Sequence, residues 1–509
     1  MQVLNGNEIL PFRLIEVSPA GQSSPRLVKS KDLNGKEVVY ATLSYCWGNS
    51  QPITTTKSSL HQLSSRLPLD DLAQTHQDAI RTTLALGIAY LWIDALCIVQ
   101  DDPFDWAAEA RKMDSIYSNS TLTLRANESS TSAGGLFSDP PHFKVMADER
   151  HFYMVLPNAT HGSSTLVHII DRSTTFGHIS ALNRRAWALQ EDVLSLRTIQ
   201  LTNSELHWRC KAVSSWESGI YYNDNEELHG SVPIAGVPDS PLSTANRAQY
   251  NHVWQRWVQT YFQRDLTYEA DRFPAIAGLA TRYESIMQEQ SCFGVWRSSL
   301  HEGLAWHKSS DASGDTPTTV PSWSPFSAGQ ALALRDTGRS SPSRVDPETC
   351  LKCVDCKISW QDLPYVSALQ DCKLTVEGAV THVTLLNPRG CQKIYPGYVI
   401  PGAGAADMPD TKCCALFDKA LNRRTSTWFC VLLSRCDHGT GYENFLILEP
   451  ASVRLSGDTY RRVGFGFIHR SEDYRTLDGQ ESSLEGEVWS SGTQGWTFDL
   501  NRREVIHLV

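Results

Sequence analysis

The spacing of apolar positions changes character several times along the chain. Residues 38–46, VVYATLSYC, mix β-branched and aromatic residues with small ones and stop at Trp47-Gly48-Asn49-Ser50, a strand running into a turn. From Leu69 to Leu86 the period lengthens: Leu72, Thr75, Ala79, Thr83 and Leu86 recur at helical spacing, and Gly87 stands at the C-cap position. Residues 88–93, IAYLWI, are apolar on both faces, as a strand covered by helices on both sides must be, and Asp94 closes it. After the turn Asp101-Asp102-Pro103, the residues Trp106, Ala110, Met113 and Tyr117 mark the stripe of a second helix over 105–117, with Asp105 as its N-cap. Residues 120–126, STLTLRA, set Leu122, Leu124 and Ala126 against Thr121, Thr123 and Arg125, the two-residue period of a further strand. Strand, helix, strand, helix, strand within about 90 residues predicts an α/β domain on a parallel sheet, in which strands 40–46, 88–94 and 120–126 are adjacent.

Residues 128–180 are rich in Ser, Thr, Gly, Pro and His, and FYMVLP and TLVHII within them read as short strands of an insertion. Asn183 to Glu191 leads into VLSLRTIQLTNSELHWRC, a helical turn followed by a strand pair around Thr202-Asn203, which closes a first domain over residues 1–215 with its core at 40–210. Helical spacing returns over 245–306, with Trp254, Trp257 and Tyr261 followed by Ile276, Leu279 and Tyr283, and predicts a helical connector. The Ser/Pro-rich stretches 308–320 and 336–347 read as linkers or exposed loops. Short alternating runs beyond them predict a β-rich C-terminal domain over 350–509.

With 509 residues, 41% of them apolar, the chain can bury at least two cores. A formal charge of −10 and no basic stripe argue against a nucleic-acid partner. No apolar run is long enough for a membrane span and the N-terminus lacks the plan of a secretory signal, so the expectation is a cytoplasmic protein. Thirteen irregularly spaced cysteines predict reduced thiols. P-loop, G-x-G-x-x-G, H-E-x-x-H and G-x-S-x-G patterns do not occur, which removes several enzyme classes.

Six blocks stand in a familiar order: Leu43-Ser44-Tyr45-Cys46-Trp47-Gly48; Leu67-Pro68 to Ile80; Leu86 to Asp102; Asp105-Trp106 with Glu109, Met113 and Ile116-Tyr117; Gly135-Leu136-Phe137; and Arg185-Ala186-Trp187 with Gln190-Glu191. Over roughly residues 40–210 the chain thereby resembles the fungal heterokaryon-incompatibility (HET) domain. The resemblance implies non-self recognition and programmed cell death after fusion of unlike fungal cells. HET domains are regarded as distant relatives of TIR domains, flavodoxin-like α/β modules of which some cleave NAD, so NAD is implied as a substrate, with no certain cofactor. The partners implied are a second copy of the chain, other incompatibility proteins and a nucleotide. A non-enzymatic self-associating adaptor and a HET-fold enzyme recruited to small-molecule biosynthesis remain as alternatives.

In an open parallel sheet, ligands bind beyond the carboxyl ends of the strands, which makes Asp94, Asp101 and Asp102 candidate ligand contacts; the competing reading is that they cap turns and the next helix. Glu109, at the edge of the Trp106–Met113 stripe, is a first catalytic candidate, against a salt bridge to Lys112 or its neighbours. Glu191 is a second catalytic candidate, because Arg185 beside it can hold a phosphate, Trp187 can stack on a planar group and Gln190 adds a polar contact; the competing reading is an ion network around a core Trp. Tyr45 and Trp47 join the ligand-binding set, although Trp47 and Trp92 lie in strand-like runs that favour the core. Cys46 and Cys97 read as inert thiols, His76 and His207 being the histidines that can approach them only in space. Cys350, Cys353 and Cys356 form C-x2-C-x2-C with Cys372 downstream, but with no second C-x2-C pair the expectation is no metal.

Overall fold

The computed structural model describes residues 10–18, 24–33, 38–49, 52–137, 151–157, 164–170, 180–202, 206–210, 213–217, 244–308, 320–334, 347–362, 364–365, 367–386, 397–398, 412–418, 425–436, 442–451, 459–469 and 498–509. The chain divides into two compact units, the first comprising Met1–Gly236 with Arg264–Arg282, the second Val237–Gln263 with Tyr283–Val509.

In the first unit β1 (Arg13–Glu16), β2 (Arg26–Lys29), β3 (Tyr40–Ser44), β4 (Tyr90–Trp92), β5 (Leu122–Ala126), β8 (Arg197–Leu201), β9 (Leu206–Cys210) and β10 (Ser214–Trp216) form one sheet. Its order is β10-β9-β8-β5-β3-β4-β1-β2. The middle is parallel: β3 pairs with β4, Ala41 opposite Leu91, and with β5, Ala41 opposite Leu122, while β5 pairs with β8. Both edges are antiparallel, through β1 against β4 and β9 against β8. The expected parallel strands are therefore adjacent, with β3 between the other two. The helix α1 (Leu60–Ser65) precedes α2 (Gln74–Ala85), which carries the chain from β3 to β4; the short α3 (Asp94–Cys97), then α4 (Pro103–Ala110) and α5 (Met113–Ser118), carry it back across β3 to β5. That reversal creates a topological switch point beyond the carboxyl end of β3. The order of the four parallel strands is that of a flavodoxin-like sheet, with β3 as the first strand.

Every residue of β3, β4 and β5 is buried, as strands covered on both faces must be. The alternation in β5 therefore marks two different buried environments. Leu124 sits in an apolar layer, whereas Thr123 and Arg125 face polar partners inside the protein. Helix α2 ends where expected, with Gly87 in the left-handed region at φ 70°. The second helix differs from the expectation, being broken into α4 and α5 at Arg111-Lys112. Its N-cap is Asp102, whose Oδ1 accepts the Phe104 N–H at 3.1 Å with Pro103 at the first helical position, so Asp105 is not the cap. Asp105 instead accepts the Val99 N–H at 2.8 Å and pairs with Arg13. Asp102→Ala should lower the urea midpoint of the first unit, because the Phe104 N–H loses its cap.

Within the insertion, β6 (His151–Pro157) and β7 (Ser164–Ile170) pair as an antiparallel ribbon, close to the two runs singled out in the sequence. Helix α6 (Trp187–Leu194) and the β8–β9 pair follow, as the sequence predicts.

The second unit contains α7 (Thr244–Phe262) and the last residues of α8 (Pro274–Met287), whose earlier residues belong to the first unit. Apart from the small pair β11 (Trp306–Lys308) and β12 (Leu332–Leu334), its strands are β13 (Leu351–Trp360), β14 (Leu369–Leu386), β15 (Gly397–Tyr398), β16 (Lys412–Phe417), β17 (Thr425–Cys436), β18 (Tyr442–Pro450), β19 (Thr459–His469) and β20 (Arg503–Leu508). They run in the order β13-β14-β17-β18-β19-β16-β15, and β20 pairs with both β14 and β19, so that β14, β17, β18, β19 and β20 close on themselves. Ala379, Cys430, Leu432, Phe445, Ile447 and Phe498 fill part of the interior. Among the described residues no helix is long and apolar enough to cross a membrane.

Candidate functional site

Four segments of the first unit bring polar side chains together beyond the carboxyl ends of β3 and β4. Ser44 ends β3 and is followed by Tyr45, Cys46 and Trp47; Asp94 opens α3 one residue after β4 leaves its pairing; Arg185 precedes α6; and Glu191 lies within α6. The Ser44 hydroxyl donates to Glu191 Oε2, and the Arg185 guanidinium donates to the Tyr45 carbonyl. Asp94 accepts from Trp47 Nε1 at 2.9 Å and from the Ala95 N–H at 2.7 Å. Arg185 is held by its backbone: its carbonyl accepts from Arg264 at 3.2 Å, and the neighbouring Ala186 N–H donates to the Asp265 carbonyl at 3.0 Å.

Burial dominates the electrostatics. It raises the carboxyl pKa of Glu191, against the opposing pull of Arg185 and the Ser44 hydrogen bond, and the charge of Asp94 raises it further. Asp94 is likewise raised by burial, with Arg185 and Trp47 resisting. For Arg185 burial works the other way, but the fields of Glu191, Cys46 and Asp94 overcome it and the guanidinium is held charged more firmly than usual. One guanidinium thus serves two carboxyl groups. The Tyr45 hydroxyl is turned toward Asp94 without strict hydrogen-bond geometry, and burial followed by the Asp94 charge keeps it protonated. Its ring packs edge-on against His76 at 5.0 Å, and burial lowers the His76 pKa to about 4, so this imidazole is neutral. Burial also raises the Cys46 thiol, beside Arg185.

The other sequence candidates lie elsewhere. Glu109 is fully buried, its Oε1 accepts the Phe12 N–H at 2.9 Å, and its charged neighbours are Lys112, Arg13 and Asp105 rather than Arg185. Asp101 accepts the Lys57 N–H at 2.8 Å, and Asp102 combines its helix cap with an ion pair to Lys57 at 3.4 Å, so both tie a loop to a helix start. Trp187 donates to Asp271 at 3.1 Å and meets Trp106 edge-on at 6.4 Å. Gln190 accepts the Gly278 N–H at 3.2 Å. Of the ten candidates, Tyr45, Trp47, Asp94, Arg185 and Glu191 are brought together; Glu109, Asp101, Asp102, Trp187 and Gln190 are not.

Sequence reasoning did not single out Ser44, Tyr117, Arg125 or Asp192. Tyr117 lies in the fields of Glu191 and Asp94, and its hydroxyl donates to the Leu43 carbonyl at 3.3 Å. Arg125 pairs with Asp192 at 2.7 Å, and Arg209 pairs with the same oxygen at 2.6 Å. For Ser44 and Arg125 the available signal was a hydroxyl or a charge inside a strand; Tyr117 and Asp192 lie in helices, where that signal does not apply. A cleft of about 280 Å³ lies beyond the carboxyl ends of β5 and β8, lined by Glu128, Ser129, Thr131, Gly135 and Thr202 among others. Its loop reaches the β3 turn, where the Ser132 N–H donates to the Trp47 carbonyl at 3.1 Å. Gly48, at φ 67°, is required there, because a Cβ would stand 2.5 Å from Thr131 Cγ2.

Among curated proteins and among solved structures nothing matches the chain. A family model does: residues 40–191 match the one described as heterokaryon incompatibility protein (HET), a span that runs from the first residue of β3 to Glu191 and so contains all five clustered residues. The first unit therefore carries a HET domain.

Proposed function

We propose that the chain acts in heterokaryon incompatibility, in non-self recognition and the cell death that follows, and that its HET domain does so by cleaving the nicotinamide–ribose bond of NAD, as some TIR domains do. The observation that supports this reading is the convergence of Glu191, Asp94 and Arg185 at the carboxyl ends of β3 and β4. Nicotinamide is already a good leaving group, so its departure needs chiefly an anion beside the positive charge that develops at the anomeric carbon. Glu191 supplies that anion, Arg185 holds the pyrophosphate and Asp94 orients the ribose hydroxyls. Water then adds to the anomeric carbon and gives its proton to solvent. Glu109, remote from Arg185 in its contacts, supports the fold.

The test is to incubate purified protein with NAD, alone and artificially clustered, and to measure released nicotinamide. Clustering should raise turnover, and Glu191→Gln should lower it by about 100-fold while the fold persists, since the isostere removes charge but little volume. Glu109→Gln should keep it. Full activity in Glu191→Gln would sink the mechanism. The enclosure of Glu191, already hydrogen-bonded by Ser44, favours a second reading as a self-associating adaptor. That reading prevails if clustered wild-type protein never cleaves NAD yet still kills cells.

A further inference from the structure

The second unit gathers cysteines that the HET domain does not explain. The sequence spacing Cys353-x-x-Cys356 would put the two side chains on opposite faces of a regular strand, because residues three apart alternate. Strand β13 avoids this with a bulge: Cys353 pairs with Val376 and Asp355 with Thr375, leaving Val354 as the extra residue. The alternation slips by one, and Cys353 and Cys356 share a face. Against that face stands Cys292, fixed in a tight turn where its N–H donates to the Val295 carbonyl at 2.7 Å and where Phe293 and Gly294 both take positive φ. Cys292 interacts with both Cys353 and Cys356, and it lines one cavity together with Cys356. Cys372, on β14, lies in the field of Cys292.

Among the described residues no group of three or more His, Cys, Asp or Glu is arranged to hold a metal ion. Cys356 is the accessible member of the group: with Cys292, Arg297, Lys357, Asp371 and Glu289 it lines a cavity of about 610 Å³, while Cys292 and Cys353 are buried. A partly exposed cysteine that shares its cavity with the cationic side chains of Arg297 and Lys357 is suited to meet a peroxide.

We propose that Cys356 and Cys292 form a peroxide-oxidised thiol pair, with Cys356 as the attacking sulfur and Cys292 as the resolving one. The Cys356 thiolate attacks one oxygen of hydrogen peroxide, the O–O bond breaks, and the departing hydroxide takes a proton to become water, leaving Cys356 as a sulfenic acid. Cys292 sulfur then attacks the Cys356 sulfur, its proton goes to the departing hydroxyl, and a second water leaves as the disulfide forms. Two thiols and one peroxide thus give one disulfide and two waters, with the two electrons passing from sulfur to the peroxide oxygens.

The experiment treats the full-length chain with hydrogen peroxide, blocks remaining thiols, and maps disulfides and sulfenic acids by mass spectrometry. The expected result is a reducible Cys292–Cys356 linkage formed ahead of oxidation at the other cysteines. Cys292→Ser should trap Cys356 as a sulfenic acid captured by a carbon nucleophile, and Cys353→Ser, which removes neither member of the pair, should still form the linkage. If Cys356 remains a free thiol while other cysteines oxidise, or if Cys356 pairs with another cysteine as readily in wild-type protein, the proposal is overturned. Stoichiometric zinc in the untreated chain that is released by thiol modification would overturn it too, by making the thiols ligands.

Discussion

Asp192→Asn is expected to destabilise the first unit by about 3–5 kcal/mol, the usual consequence of removing one partner from a buried charge network. Asp192 Oδ1 forms an ion pair with Arg125 Nη1 at 2.7 Å and accepts a hydrogen bond from Arg209 Nη2 at 2.6 Å, and the Asp192 carbonyl accepts from Arg209 Nη2 at 2.8 Å. The side chain of Arg125 is wholly inaccessible and that of Arg209 nearly so. Asparagine keeps the shape and one acceptor but leaves two guanidiniums facing each other in a medium that screens them poorly. Burial, opposed by Asp192, already lowers the Arg209 pKa, which shows how much of its charge depends on that carboxylate. Arg125→Met should cost less, because it removes one of the two like charges and leaves the Asp192–Arg209 pair intact. Hydrogen exchange of the full chain gives the readout: peptides covering β5, β8 and β9 should lose protection in Asp192→Asn, with peptides of β14 and β17 as the internal reference. Unchanged protection in β5 and β8 would show that the ion network is not holding these strands.

The parallel core was legible because its physics is local. IAYLWI is apolar on both faces, Gly87 ends a helix that only a left-handed residue can end there, and the two-residue period in STLTLRA sets a strand whatever covers it. What that period could not reveal was the nature of the polar face. Thr123 and Arg125 suggest solvent by residue type, yet Thr123 meets Thr42 at 2.7 Å and Ser195 at 2.6 Å, and Arg125 meets Asp192, all contacts with residues distant in the sequence. The break between α4 and α5 was hidden for a similar reason. Trp106, Ala110, Met113 and Tyr117 keep their helical spacing across it, and neither glycine nor proline marks the interruption. At the candidate site the strand-end residues Tyr45, Trp47 and Asp94 could be placed from topology alone, since the carboxyl ends of parallel strands collect side chains. Choosing between Glu109 and Glu191 could not be done that way. Both follow apolar stripes, and only the packing of α4 beside Phe12 and of α6 beside Ser44 separates their surroundings.

Glu109 carries the clearest pH signature in the first unit. Burial, opposed by the Phe12 N–H and more weakly by Lys112 and Arg13, raises its pKa from 4.5 to about 7, and its second oxygen has no hydrogen-bond partner. The groups facing it are Phe12 and Arg13 at the start of β1, Asp105 and Lys112 along its own helix region, the Tyr40 hydroxyl and the Cys97 thiol. Because the folded chain binds this proton more tightly than the unfolded chain, unfolding releases it between pH 4.5 and about 7. Stability from this group is therefore full below the unfolded value, falls as pH rises through the window, and levels off above the folded value. The interval corresponds to at most about 3 kcal/mol, from about 1.4 kcal/mol for each tenfold change in acidity. Glu109→Gln keeps an acceptor for the Phe12 N–H, which Glu109 Oε1 holds at 2.9 Å, and removes the proton from the balance. Wild type and variant should then unfold at similar urea concentrations near pH 5, while near pH 8 the variant should be the more stable by up to about 3 kcal/mol. Comparing the two proteins at each pH cancels the contributions of Glu191 and Asp94, whose carboxyl groups are raised in the same direction and titrate in both. A gap between wild type and variant that is the same near pH 5 and near pH 8 would mean that Glu109 keeps one charge state throughout, and that its burial is compensated by partners other than a bound proton.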